Sequence, residues 1–281
     1  MTYQKWTTII KPKTGWFDID LNELWKYRDL VVMFVKRNFT TMYKQTILGP
    51  AWILINPLIT TLMFTIVFGN IAKIPTEGLP PFIFYMAGNT LWSYFANCLT
   101  STSSTFTANA GIFGKVYFPR LVTPISTVIT GLINFMIQFV MLIGFVIYFK
   151  LNGSNIQLNW WLLLVPLLVI QTAVLGLGVG IIISSLTTKY RDLNVLVSFG
   201  VQLWMYATPI VYPVSQLPDS YKALIMLNPM APTVEAFRYA FFGTGKVDMP
   251  YLLLSAGITL LVLFIGVMLF SKVEKTFMDT V

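Results

Sequence analysis

The feature that most limits what this chain can fold into is the length of its uncharged stretches. The 281 residues include 19 Lys or Arg and 11 Asp or Glu, and these charges lie in short clusters. At 1.5 Å rise per residue, a helix of about 20 residues crosses the hydrocarbon core of a bilayer. The sequence therefore predicts an integral membrane protein and excludes a soluble globular fold. Charge-free stretches of this length cover residues 78–114, 121–149, 151–188, 193–218 and 249–271.

We predict an all-α membrane protein with six transmembrane helices bounded by the charged clusters. Residues 1–50 form a cytoplasmic N-terminal arm, and residues 51–281 form the transmembrane domain. The first apolar stretch begins only after this mostly polar arm, which argues against a secretory signal peptide. The predicted helices cover about 51–72, 82–110, 121–149, 160–187, 193–212 and 250–271.

The distribution of basic residues predicts the orientation of these helices. Of the 19 Lys and Arg residues, 14 lie in the N-terminal arm, the loops 111–120 and 188–192, and the C-terminal tail. Loops on the cytoplasmic side of a membrane are enriched in Lys and Arg. Both termini are therefore expected in the cytoplasm.

Two further segments are helical in pattern without being long enough to cross a membrane. Between Leu21 and Lys44, apolar residues recur every three or four positions with basic residues beside them, which is typical of an amphipathic helix on a membrane surface. The segment 213–245 is rich in proline and holds two short apolar pieces, which favours re-entrant half-helices entering from the outer face. In the second piece, Glu235 and Arg238 are spaced to pair on one helical face, either buried or exposed at headgroup level.

Several kinds of chemistry are excluded by the residues that the sequence lacks. There is no histidine and a single cysteine, Cys98, so a Cys/His metal site and a histidine general base are impossible. The glycines before Lys115 and Lys246 lack the spacing of a P-loop, and valine follows each lysine. We expect no catalytic residue, no metal site, no cofactor in this chain and no nucleic-acid partner. No charged residue lies within the predicted spans, so an ionisable relay of an ion-coupled carrier is not expected.

The second predicted helix is unusual because 12 of the 21 residues from 89 to 109 are Ser, Thr or Asn. One interpretation is close helix packing, since small hydroxyl residues hydrogen-bond between membrane helices. The other is a hydrated path, in which aromatic faces and hydroxyl groups contact a sugar chain. The candidate path residues are Trp92, Ser93, Tyr94, Phe95 and Asn97.

Several strings of residues, in this order and spacing, resemble the permease subunits of type-2 ABC exporters for cell-surface polysaccharides. They cover nearly the whole chain, and the six predicted helices agree with the resemblance. The strings are Tyr43-Lys-Gln-Thr-Ile-Leu-Gly-Pro-Ala-Trp52, Asn56-Pro57, Ile66-Val-Phe-Gly69, Lys115-Val-Tyr-Phe-Pro-Arg120, Lys189-Tyr-Arg-Asp-Leu193, Pro209-Ile-Val-Tyr-Pro213, Asn228-Pro229 and Glu235-Ala-Phe-Arg238.

The resemblance implies specific roles for two groups of residues. The amphipathic helix and two cytoplasmic turns would contact a separate ATPase, and the half-helices would form an outer gate. The turn residues are Lys115, Tyr117, Pro119, Arg120, Lys189, Arg191 and Asp192. The gate residues are Pro209, Pro213, Asn228, Pro229, Glu235 and Arg238.

It also implies the partners of the chain and its location. The expected unit is a homodimer with two ABC ATPase subunits, which use ATP and Mg²⁺, in the bacterial inner (cytoplasmic) membrane. The expected substrate is a lipid-linked polysaccharide such as O-antigen, capsule or teichoic acid.

Three alternatives remain open from the sequence. A drug or lipid exporter of the same family would share these motifs. An integral membrane enzyme acting on lipid-linked sugars would need reactive groups, for which Glu235 and Asp248 are isolated candidates. A passive channel would need no ATPase.

Overall fold

The computed structural model describes residues 21–44, 46–188, 190 and 192–276, and all regular structure in these ranges is helical. Short 3₁₀ turns at Gly49–Ala51 and Trp160–Leu164 precede α3 and α7, and a π-helical stretch, Thr65–Ile71, follows α3. The helices are α1 (Leu21–Lys26), α2 (Arg28–Tyr43), α3 (Trp52–Phe64), α4 (Pro81–Ser103), α5 (Thr105–Phe113), α6 (Val122–Leu151), α7 (Val165–Thr187), α8 (Leu193–Tyr206), α9 (Asp219–Met226), α10 (Met230–Phe242) and α11 (Met249–Thr276).

Four helical segments in the described ranges are long and apolar enough to cross a membrane. They are Gly49–Ile71, Val122–Leu151, Trp160–Thr187 and Met249–Glu274. Each overlaps one predicted helix. The overlap is expected because an uninterrupted run of apolar residues determines both the length of a membrane helix and its exposure to lipid. The chain is therefore a multi-pass membrane protein.

The two other predicted helices differ from these four. α4 has 23 residues, a length of about 34 Å, but it carries many polar side chains and most of it is buried. α8 has 14 residues and spans about 21 Å, which is shorter than the hydrocarbon core. It ends at Tyr206, before Pro209, because proline lacks the N–H group that would extend the helix.

α4 lies at the centre of the bundle and contacts α3, α6, α7, α8 and α10. Its contact with α7 is close because α7 presents glycines. A Cβ atom on Gly176 would lie 2.7 Å from Cβ of Cys98, and one on Gly180 would lie 2.7 Å from Cβ of Thr102. Small residues let membrane helices approach until their backbones touch. Gly176 and Gly180 therefore allow α7 to pack directly against α4.

The predicted helix 82–110 is divided at Ser104, where α4 ends and α5 begins. Around this point, hydroxyl groups donate to carbonyls three residues earlier: Ser103 to Thr100, Ser104 to Ser101 and Thr105 to Thr102, at 2.7–3.2 Å. Such local bonds compete with the helical backbone ladder and bend helices. The run of hydroxyl residues therefore explains the break.

The predicted amphipathic helix is present as α1 and α2, which are separated at Tyr27. Phe34 is the buried residue of α2, and it packs in a cluster with Phe106, Phe118 and Phe270. This cluster joins α2 to α5, the turn after it, and the far end of α11. The predicted interface helix is thus attached to the end of the bundle that holds the α5–α6 turn.

The proline-rich segment 213–245 forms α9 and α10. α10 packs against α4, α7 and α11, and twelve of its thirteen residues are buried. A helix of 13 residues spans about 20 Å, too short to cross a bilayer. The helix ends at Phe242 and is followed by Gly243, whose φ of 68° places the backbone in the left-handed region that glycine favours.

Candidate functional site

The predicted pairing of Glu235 with Arg238 is confirmed, and the pair is buried. The distance from Nη1 of Arg238 to Oε1 of Glu235 is 3.3 Å, and the two residues are 3% and 7% exposed. The alternative of an exposed pair at headgroup level is therefore wrong. Burial raises the pKa of the Glu235 carboxyl above its ordinary value, against the opposing effect of the Arg238 cation. Burial likewise acts to lower the pKa of Arg238, against the effect of Glu235.

The structure provides several compensating contacts for the buried guanidinium. Its Nη2 donates to the carbonyl oxygen of Ile210, and its Cζ lies 3.8 Å from the ring centroid of Phe84. A Cβ atom on Gly88 of α4 would lie 2.7 Å from Nη2, so glycine leaves the space that the guanidinium occupies. Arg238 thereby connects α10 to α4 and to the segment after α8.

A second carboxylate, Glu77, lies beside this pair in the loop before α4. It raises the pKa of Glu235 and opposes the lowering of the Arg238 pKa, and its Oε1 accepts a hydrogen bond from Oγ of Ser215 at 2.6 Å. The backbone of Glu77 is held at φ 54°, which is uncommon for a residue with a side chain. We refer to Glu77, Ser215, Glu235 and Arg238 as the charged cluster. It joins two loops to α10.

Asn228 joins the end of α8 to the start of α10. Its Oδ1 accepts from Nε1 of Trp204 at 2.9 Å and from the backbone N–H of Met230 at 3.1 Å. Its amide nitrogen donates to Oγ1 of Thr208 at 2.9 Å and to the carbonyl of Ala207 at 3.1 Å. Of the other predicted gate residues, Pro209 and Pro213 are buried after α8, and Pro229 directly precedes α10. The structure brings these residues into one region, but their role as a gate stays a prediction.

The α5–α6 turn combines exposed and buried side chains. Lys115 and Tyr117 are exposed, whereas Phe118 is buried against Phe34 of α2, with 5.6 Å between the ring centroids. Oη of Tyr117 donates to Oε1 of Glu23 on α1 at 3.3 Å. The turn is therefore bound to both amphipathic helices, with Lys115 on its surface.

The last residues of this turn, Pro119 and Arg120, are partly buried. The backbone N–H of Arg120 donates to Oε1 of Glu274 at 3.3 Å, and its guanidinium donates to the carbonyl of the same residue. Burial lowers the pKa of Arg120, and the Glu274 carboxylate opposes that shift. This contact connects the turn to the C-terminal end of α11, a partner that sequence reasoning missed.

The second predicted turn, 188–193, is described only in part. Asp192 is exposed at the start of α8, while Lys189 and Arg191 lie outside the described residues. The preceding helix α7 is bonded to the α4–α5 break: Oγ of Ser184 accepts from the N–H of Phe106 at 3.3 Å, and Oγ1 of Thr187 donates to the carbonyl of Ser103 at 3.1 Å. The helices that lead into the two turns are therefore directly connected.

The aromatic residues of the candidate path are packed in the interior of the protomer. Trp92, Tyr94 and Phe95 are at most 4% exposed. The ring of Phe95 lies 5.0 Å from that of Trp204 on α8, and the ring of Tyr94 lies 5.2 Å from that of Phe135 on α6. For these three residues the geometry favours helix packing. Their role in a substrate path stays a prediction.

The other two candidate path residues, Ser93 and Asn97, are partly buried. Asn97 lines a polar cavity of about 520 Å³ between α2, α4, α5 and α6, together with Ser101, Thr127 and Thr130. The hydroxyl-rich face of the second predicted helix thus borders an open space.

Comparison with known proteins identifies the family. The profile described as "ABC-2 type transporter" matches residues 29–242, which is more than half of the chain. The chain belongs to this family. Its matched region runs from α2 to the end of α10 and includes the charged cluster and both turns.

Individual relatives are similar over almost their whole length. The chain is 30% identical over 253 residues to an "O-antigen export system permease protein RfbA" of Klebsiella pneumoniae, covering 89% of this chain and 94% of that protein. It is 26% identical over 265 residues to the protein of the same name in Myxococcus xanthus, covering 93% and 98%. It is 24% identical over 253 residues to the "Polysialic acid transport protein KpsM" of Escherichia coli, covering 87% and 93%.

Family membership indicates the class of protein. The chain is a transporter subunit, as its family indicates. Among the described residues there is no group of three or more Cys, Asp or Glu side chains that could hold a metal ion.

Several contacts of these sites could not be read from the sequence. Glu77 and Ser215 are 138 residues apart, and Arg120 and Glu274 are 154 apart. The sequence signal available for Glu77 was that it is a charged residue in a short loop. Nothing in the sequence indicated that Ser215 would be its partner.

Proposed function

We propose that this chain is the transmembrane permease subunit of an ATP-driven exporter that carries a lipid-linked polysaccharide across the bacterial cytoplasmic membrane. The observation that carries the proposal is the similarity to the O-antigen export permease over 89% of this chain. The similarity to a polysialic acid transport protein supports the same substrate class.

The proposed layout has six crossings with both termini in the cytoplasm. The four long apolar helices supply four of them, α4 supplies the second, and α8 with the residues up to 212 supplies the fifth. The unequal distribution of Lys and Arg supports this orientation. α9 and α10 would then be re-entrant from the outer side, with the charged cluster and Asn228 forming the outer gate.

The energy for transport would come from a separate ABC ATPase that uses ATP and Mg²⁺. A surface able to receive it includes α1, α2 and the α5–α6 turn, with Lys115 and Tyr117 exposed, and Asp192 at the second turn. Lys189 and Arg191, which lie outside the described residues, stay predicted contacts of the ATPase from the sequence. The link between α7 and the α4–α5 break supports joint movement of both turns.

We also propose that two copies of the chain form the working unit with two ATPase subunits. α3 and α8 carry apolar side chains that are exposed in the single chain, including Ile59 and Met63 on α3 and Phe199 and Leu203 on α8. These faces suit contact with lipid or with a second copy. A route between two copies would pass neutral hydroxyl groups such as that of Ser93, which suits sugars.

The direct test is reconstitution with an ABC ATPase, sought first among the genes adjacent to the one for this chain. Export of a lipid-linked glycan into proteoliposomes should need both subunits and ATP. A complex that hydrolyses ATP but moves a drug or a phospholipid and no glycan would refute the proposed substrate. Failure of the two subunits to co-purify would refute the proposed partnership.

A further inference from the structure

The polar cavity between α2, α4, α5 and the first half of α6 is separate from the charged cluster and from the packed aromatic rings. Its volume of about 520 Å³ lies in the range of small-molecule sites, roughly 300–1,000 Å³. Among the described residues that line it, Arg37 alone carries a charge, and most of the others are Ser, Thr or Asn. The lining thus offers hydroxyl and amide groups together with some apolar surface, and it contains none of the carboxylates that would select a cation.

The α6 wall of the cavity presents hydrogen-bond acceptors. Oγ1 of Thr127 donates to the carbonyl of Thr123 at 3.0 Å, Oγ1 of Thr130 to that of Ser126 at 2.8 Å, and Oγ of Ser126 to that of Thr123 at 2.7 Å. Each hydroxyl proton is thus used within the helix, while the oxygen keeps lone pairs that can accept. Ser126 and Thr130 are 1% and 2% exposed, whereas Thr127 is partly exposed, so its oxygen is the acceptor that a ligand O–H group can reach on this wall.

Hydrogen-bond donors lie on α2 and α4. Oδ1 of Asn97 accepts from Oγ of Ser101 at 2.9 Å, and Oδ1 of Asn38 accepts from Nη2 of Arg37 at 3.1 Å. These bonds orient both amides and leave each an N–H₂ group that can donate. The Arg37 guanidinium is exposed and lies 4.4 Å from the ring centroid of Phe34, which holds a cation beside the cavity.

The position of the cavity indicates where its ligand comes from. α2 forms one wall, and its amphipathic pattern predicts that it lies along the membrane surface, so the cavity would open where lipid headgroups lie. One turn further along α6, beyond the lining residues Thr130 and Gly131, Oη of Tyr43 donates to Oδ1 of Asn134 at 3.2 Å and joins α2 to α6. A headgroup can therefore enter while its lipid chain stays in the bilayer.

We propose that this cavity binds the phosphate-linked first sugar of the lipid-linked substrate. The sugar hydroxyls donate to the α6 wall, the amides of Asn38 and Asn97 donate to the sugar oxygens, and the phosphate pairs with Arg37, as guanidinium groups commonly do. This assignment rests on the proposed function and adds a recognition site within each protomer, apart from any route between two copies.

The test measures binding to the full chain with its ATPase in nanodiscs of phosphatidylethanolamine and phosphatidylglycerol. The probes are a fluorescent polyprenyl diphosphate carrying one N-acetylglucosamine and the same lipid without sugar. Thr127→Val removes one acceptor and should weaken binding of the sugar-bearing probe about two- to tenfold, the range of one lost hydrogen bond, with little effect on the sugar-free probe. Arg37→Gln should weaken binding of both probes.

The chain offers matched controls on α5. Thr107 is exposed, does not line the cavity, and its hydroxyl makes the same kind of bond, to the carbonyl of Ser104 at 3.1 Å. Thr107→Val should therefore bind both probes like the wild type. Ala108 lines the cavity, so Ala108→Phe should fill it and abolish binding of the sugar-bearing probe, whereas Thr107→Phe should not.

The outcomes separate this assignment from the proposed function. If the wild type binds and exports the glycan while Thr127→Val and Ala108→Phe behave like their Thr107 controls, the cavity is not the site. Equal weakening of both probes by Thr127→Val would indicate a phosphate site without sugar recognition and would also overturn it. If the wild-type complex binds and exports no glycan lipid, the proposed function itself fails.

Discussion

Replacing Arg238 with methionine should destabilise the protein strongly, because it leaves Glu235 buried without its cation. The two residues are 3% and 7% exposed, and the guanidinium also contacts the Ile210 carbonyl and the Phe84 ring. Removing one partner of a buried pair typically costs about 3–5 kcal/mol. Glu77 lies nearby and adds a second negative charge that the Arg238 cation offsets. The loss in the free energy of unfolding caused by Arg238→Met should therefore lie in this range.

The pH dependence distinguishes this explanation from a simple loss of packing. Burial already raises the pKa of Glu235, and loss of the cation raises it further. The folded state then binds a proton that the unfolded state releases, so the stability of the variant falls as pH rises from the ordinary carboxyl range through neutrality. The destabilisation by Arg238→Met should be smaller near about pH 5, where only the guanidinium contacts are lost, and largest near about pH 8.

The assay is reversible unfolding in detergent micelles, with two comparison variants. Glu235→Gln leaves a permanently charged guanidinium, so its cost should change little with pH. Lys150→Met removes an exposed cation and should change stability by less than about 0.5 kcal/mol. If Arg238→Met cost no more than Lys150→Met, or cost the same at both pH values, the buried pair would not have the proposed energetic role.

Three further predictions concern helix packing and the two ends of the bundle. Gly180→Ala places Cβ 2.7 Å from Cβ of Thr102 and should cost about 1–3 kcal/mol in unfolding assays, whereas Gly144→Ala has open space and should be nearly neutral. Arg120→Met removes the guanidinium bond to the Glu274 carbonyl, while the backbone N–H bond to its carboxylate remains, and should reduce substrate-stimulated ATPase activity more than ATPase binding; unchanged stimulation would contradict the coupling role. Asn228→Ala leaves the indole N–H of Trp204 and the hydroxyl of Thr208 without their amide partner and should cost about 1–3 kcal/mol; a thermal midpoint equal to that of wild type would contradict this.

The long apolar helices were predictable from the sequence because their length depends on uninterrupted apolar residues. α6, α7 and α11 lie within a few residues of their predicted positions. The break at Ser104 and the early end of α8 were not predicted. Both depend on local competition for backbone hydrogen bonds, from a run of hydroxyl groups in one case and from the proline-containing segment after α8 in the other.

The candidate sites could be predicted less completely than the helices. The spacing of Glu235 and Arg238 indicated that they pair, since residues three apart share a helical face. The burial of the pair depends on Gly88 and Phe84, which are about 150 residues away in sequence and unrelated to α10 by any local pattern. Likewise, the aromatic residues of α4 suggested a sugar contact, while their packing against Phe135 and Trp204 depends on how three helices meet.

The close contact between α4 and α7 has a consequence for how the protein can move. Gly176 and Gly180 bring the two backbones together, and hydroxyl bonds join the ends of the helices, so sliding one past the other would bring atoms into collision. We expect these helices to move as one rigid unit. Rearrangement during a transport cycle would then move other helices around that unit. α3 and α8 are the candidates, because their surfaces are more exposed and pack less closely against the bundle.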